Sequence, residues 1–189
     1  MNWLKQLFRA DLTRVTVENP LAIESPRIAF LNLIGPSADS LLYQDKAAFG
    51  SLFASIEEGG SQALTCEVLM IYCDLQKDGV IVGHSKSLRE IIDDAKAAIV
   101  IVGSENSADA YTAAAKPTGR GKANLVMTLK RNGSAFTSFF TALFTRMFAG
   151  QSMLLAWVEL APQIPDATHD SCPATIFAAE VSHVVFRAA

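Results

Sequence analysis

The chain has 189 residues, half of them apolar and 19% charged, with a formal net charge of −3. That length and composition suit one folded domain with a filled core and exclude global disorder. The mild acidity excludes a nucleic-acid face, which needs concentrated lysine and arginine, and the three cysteines, Cys66, Cys73 and Cys172, have neither disulfide-framework nor zinc spacing.

Near the N-terminus Trp3, Leu4, Leu7 and Phe8 recur at helical spacing with Lys5 and Arg9 between them, which predicts an amphipathic helix over residues 2–13. Its apolar stripe is expected to dock on protein, either the same chain or a second copy, and not on lipid. Pro20 and Pro26 mark an irregular linker, so residues 1–26 are read as helix plus linker and 27–189 as a single α/β domain. No run reaches the roughly 18 apolar residues of a membrane span and no signal-peptide core is evident, so a soluble, cytoplasmic protein is expected.

From Arg27 onward strand and helix patterns alternate. "RIAFLNLIG" reads as a buried strand closed by Gly35-Pro36, and Phe49, Leu52, Phe53 and Ile56 predict a helix ended by Gly59-Gly60. "CEVLMIYC" is the second strand, Asp78-Gly79 a turn, and "SLREIIDDA" a helix capped by Ser85 or Ser87. "AAIVIVG" is the third strand, "ADAYTAAA" a helix and "NLVMTL" the fourth strand. Phe136, Phe139, Phe140, Leu143, Phe144, Met147 and Phe148 then share one helical face, which must be buried. A short apolar helix follows Ser152, and "ATIFAAEVSHVVF" closes the chain as strand. Runs that are apolar on both faces are what parallel strands covered by helices require, so the fold class is an α/β three-layer sandwich with a mostly parallel sheet.

In such sheets ligands sit beyond the carboxyl ends of the strands. The segments there supply Asp39, Asp74, Asp78, His84, Ser104, Glu105, Asn106 and Asp109, of which six are given roles. Ser104, His84 and Asp74 make one chemically conceivable nucleophile, base and orienting acid. Glu105, Asn106 and Asp78 are candidate ligand contacts. The G-x-S-x-G elbow is absent, and "KPTGRGKANLV" precedes a strand where a phosphate loop would precede a helix. His169 and His183 have no ligand spacing, so neither a metal nor a cofactor is expected.

This succession of elements resembles the caspase-like fold, in particular the bacterial CHAT domains, over residues 27–186. "VIVGSEN" stands where that family carries its cysteine motif, with Ser104 in the nucleophile's place. "LVMTLKRNGSAFTSFFTALFTRMFAGQSMLLAWVELA" is similar to the family's second motif, with Phe140, Leu143, Gly150, Ser152 and Ala156 in register. The family's His-Gly pair is replaced by Tyr72-Cys73-Asp74, and His84 comes too late in the chain. The resemblance therefore implies a domain without the Cys-His dyad, acting as a protein-interaction or regulatory module; Ser107 or Ser104 is read as the cap of the helix "ADAYTAAA". Two alternatives stand beside it: a serine-dependent hydrolase using Ser104, and a TIR-like nucleotide-binding or self-associating domain, to which residues 73–107 are similar.

Overall fold

Apolar runs with no polar face become strands whose successive side chains enter two different cores. A computed structural model describes residues 16, 18–59, 65–115, 122–161, 172–181 and 183–188. In chain order the elements are β1 (Leu21–Glu24), β2 (Ile28–Asn32), α1 (Asp39–Phe49), β3 (Ile56–Gly59), β4 (Val68–Tyr72), α2 (Leu88–Asp94) and β5 (Ile99–Val102). They continue with α3 (Ala108–Ala115), β6 (Asn124–Lys130), α4 (Ala135–Phe148), α5 (Met153–Leu160), β7 (Ala174–Ala179) and β8 (Val184–Arg187). Ile28 and Phe30 of β2 face one core while Ala29 and Leu31 face the other, and β4 and β5 alternate in the same way.

Among the described residues the main sheet has six strands in the order β3-β2-β4-β5-β6-β7, with β7 alone antiparallel to its neighbour. Helices α1, α4 and α5 cover one face, together with a separate parallel pair of β1 and β8. Leu88 and Ile92 of α2 and Tyr111 of α3 cover the other. This is the mostly parallel, helix-flanked three-layer sandwich that the sequence predicts. Helix α4 buries the expected stripe: Phe136, Phe139, Phe140, Leu143, Phe144 and Met147 are all buried, and the Phe144 ring meets those of Phe49, Phe53, Phe140 and Phe186. Of the two serines proposed for α2, Ser87 is the cap, accepting from Glu90 N–H while the Glu90 carboxylate accepts from Ser87 N–H.

Three local expectations need correction. The helix expected over Phe49 to Ile56 lies earlier: α1 ends at Phe49, residues 50–52 form one 3-10 turn, and Ile56 begins the edge strand β3. The tight turn keeps Phe49 and Phe53 in one core, which mimics helical spacing. The stretch before Arg27 is not irregular throughout, because β1 pairs with β8 and buries Ile23 in the larger core. The closing apolar run is two strands: β7 completes the main sheet, the chain turns at Glu180 and Val181, whose N–H groups donate to Ala123 O, and β8 joins β1. The helix expected over 2–13, the glycine-rich loop at 116–121 and His169 lie outside the described residues. Among the described residues no helix is long and apolar enough to cross a membrane.

Candidate functional site

The chain passes from β2 to β3 on one side and from β4 to β5 on the other, so it leaves the carboxyl ends of the neighbours β2 and β4 in opposite directions and a crevice opens between them. A cleft of about 520 Å³ occupies this place, lined by residues from the ends of four parallel strands and from α1: Ile34, Ser37, Leu41 and Gln44, then Asp74, then Ser104 and Glu105, then Arg131. Asn32, the last residue of β2, shapes one wall. Its Oδ1 accepts from Ile34 N–H and Gly35 N–H at 3.0 and 3.1 Å, and its Nδ2 donates to Asp39 Oδ1 at 3.0 Å.

Beneath the cleft lies an ion pair that the sequence reading missed. Asp45 of α1 is fully buried, and Arg131 reaches it with two parallel hydrogen bonds of 2.8 and 3.0 Å. Burying either charge alone would be costly, so the remaining polar positions are filled. Tyr72 Oη donates to Asp45 Oδ2 at 2.7 Å, Thr137 Oγ1 to Asp45 Oδ1 at 3.0 Å, and Arg131 Nη1 to Gly103 O at 2.6 Å. The guanidinium also sits 3.8 Å from the Phe136 ring centroid. Burial first, and then the Asp45 carboxylate, push the Tyr72 phenol well above its ordinary value, so it remains a donor. A Cβ on Gly103 would stand 3.1 Å from Tyr72 Cε1, which gives this position a reason to be glycine. One sequence signal was available: Asp45 shares a helical face with Leu42 and Phe49, where an apolar residue is the norm.

The six candidate residues separate. Asp74, Ser104 and Glu105 reach the cleft; His84, Asn106 and Asp78 do not line it. Ser104 is buried, its Oγ donating to Cys73 O at 2.6 Å and accepting from Cys73 N–H at 2.9 Å. Both halves of the hydroxyl are thus engaged by backbone. Asn106 completes the clasp, its Oδ1 accepting from Leu75 N–H at 2.8 Å and its Nδ2 donating to Cys73 O at 2.9 Å. His84 Nε2 lies 2.9 Å from Leu33 O, a carbonyl that can only accept, so the ring nitrogen there is a donor and not a base. Asp78 sits at the tip of the hairpin joining Leu75 and Ile81, where its Oδ1 accepts from Val80 N–H at 3.1 Å. Glu105 Oε1 accepts from Arg131 N–H at 2.7 Å and so ties the β5 end to the β6 end.

Of the two serines read as capping α3, Ser107 is the cap, its Oγ accepting from Ala110 N–H at 3.2 Å, while Ser104 joins two strand ends. Chemically the arrangement offers an acidic rim over a neutralised ion pair, with no imidazole joined to Ser104 among the described residues. Nor does any group of three or more His, Cys, Asp or Glu able to hold a metal occur among them. No family model, no curated protein and no solved structure matches the chain.

Proposed function

We propose that the protein is a caspase-like α/β module that breaks no bonds and works by binding, as a protein-interaction or regulatory domain of the cytoplasm. The observation that carries this reading is the state of Ser104. A serine attacks when a base within about 2.6–3.2 Å takes its proton, and this hydroxyl instead donates its hydrogen bond to the Cys73 carbonyl, which is not a base. The order of elements supports the caspase-like part: a parallel sheet, the long aromatic helix α4 after its last parallel strand, then a short helix and terminal strands. The free thiols of Cys66, Cys73 and Cys172 suit a reducing compartment.

The crevice beside β2 favours one other reading, the nucleotide-binding one, since such switch points hold nucleotides in many folds. Its charge counts against it. Asp74 and Glu105 line the cleft, and the Arg131 guanidinium that could meet a phosphate is spent on Asp45.

Incubation of the full chain with a serine-directed fluorophosphonate and with a mixed peptide library is expected to give neither labelling nor cleavage. Stoichiometric labelling at Ser104 that Ser104→Ala abolishes would establish the hydrolase instead. A rise in melting temperature with a dinucleotide would establish the nucleotide reading, because a ligand that binds only the folded state stabilises it.

A further inference from the structure

Helix α5 is apolar on nearly every side. Met153 and Ala156 are buried, while Trp157 and Leu160 pack on the larger core, Trp157 stacking on Phe177 of β7 with ring centroids 4.7 Å apart. The outward arc carries Leu154, Leu155 and Val158, with Leu155 37% and Val158 59% exposed. Glu159, bonded to Arg146, is the helix's only charged residue. A surface helix ordinarily keeps its outer arc polar, and one that is apolar all round is covered on both sides.

We propose that the cover is the chain's own N-terminal segment, whose Trp3, Leu4, Leu7 and Phe8 dock on Leu154, Leu155 and Val158. The point where the chain joins the fold selects this occupant. Leu21 N–H donates to His183 O at 2.8 Å, and His183 Nδ1 lies 3.1 Å from Ser152 Oγ at the start of α5. The residues before β1 therefore arrive one side chain away from that helix. Immediately upstream Thr16 and Asn19 are clasped, with Thr16 N–H donating to Asn19 O and Asn19 N–H to Thr16 Oγ1 at 3.1 Å, which fixes the described chain ahead of β1.

Reach and area agree with a local occupant. A helix over residues 2–13 would be about 18 Å long against about 12 Å for the eight residues of α5. A second copy fits less well, since a stable dimer buries about 800 Å² per partner and this arc presents three aliphatic side chains. The inference is independent of the function proposed above.

Amide hydrogen exchange read by mass spectrometry on the full chain, alone and as Val158→Asp, tests it. Residues 2–13 are expected to exchange at least about tenfold slower than an unstructured chain, and Val158→Asp should remove that protection while β5 and β6 keep theirs. Light scattering should show a monomer in both cases. The reciprocal variant Leu4→Asp should speed exchange in residues 154–160, which decides the matter even where Val158→Asp disturbs folding. Unprotected residues 2–13 in the parent chain would overturn the proposal. So would protection that neither variant alters, faster exchange confined to residues 162–171, or a dimer whose protection vanishes on dilution.

Discussion

At the scale of single residues the cleft is held together by side chains that a sequence reader takes for chemistry. Ser104 and Asn106 both spend their polar atoms on the backbone after β4, and Glu105 spends one oxygen on the backbone after β6. Ser104→Ala is the direct test of that structural role. The Cys73 carbonyl would keep Asn106 Nδ2, but the buried Cys73 N–H would lose its partner. The expected loss is about 1–3 kcal/mol in urea unfolding, the cost of leaving a buried donor unmade. A loss below about 0.5 kcal/mol would mean that water or a rearranged loop replaces the hydroxyl. The position of Ser104 at a strand end was legible from the apolar run that precedes it. Its partner was not, because Cys73 is 31 residues away and only the pairing of β4 with β5 brings the two together.

At the scale of elements, periodicity carried the most weight where a long segment had one face to bury. Helix α4 is the example: its aromatic stripe was read directly, and Phe144 joins it to α1, to the turn after it and to β8 through rings at 5.5, 5.1 and 6.1 Å. Phe144→Ala is expected to cost about 3–5 kcal/mol of stability, since so enclosed a site collapses poorly around a cavity. Chemical denaturation checks it, and a cost below about 1 kcal/mol would show that the α4 face is not core. Short segments were read less well. A 3-10 turn and a helix place Phe49 and Phe53 alike, and one apolar run at the C-terminal end serves two sheets.

For the whole molecule, buried acids of high pKa set the response to alkali. Burial pushes the Cys66 thiol from 9.0 up to about 12; it does the same for Cys73, although the Ser104 hydroxyl pulls the other way. Burial also raises Tyr72 and Tyr111 above 10.0. A folded pKa above the unfolded one means that stability is fully present below the unfolded value and is lost as pH climbs toward the folded one. The loss should begin near pH 9.0 and continue to about 12, at up to about 1.4 kcal/mol per pH unit for each thiol. Lys122, whose ammonium is pushed down by burial, opposes this as one group against four. The urea midpoint is therefore expected to stay level from pH 7 to 8.5 and fall steeply by pH 10.5. A level midpoint to pH 10.5 would show that these thiols ionise in the folded state.

By itself the sequence determined the class of the fold and most of its elements. Strand runs without a polar face require cover on both sides, and a helical stripe requires a core, whatever the neighbours are. The tertiary structure alone decided strand order, the split of the last apolar run, and the meaning of every polar side chain at the cleft. Asp45 and Arg131 lie 86 residues apart; Asp45 stands out only as a charge at an apolar helix position and Arg131 alone reads as a surface charge, and only packing α1 and the β6 end on the same face of the sheet makes them a buried pair. Hydrophobic pattern is written along the chain because burial acts on each residue separately, whereas a hydrogen bond needs two groups at one place, and that coincidence exists only after the chain has folded.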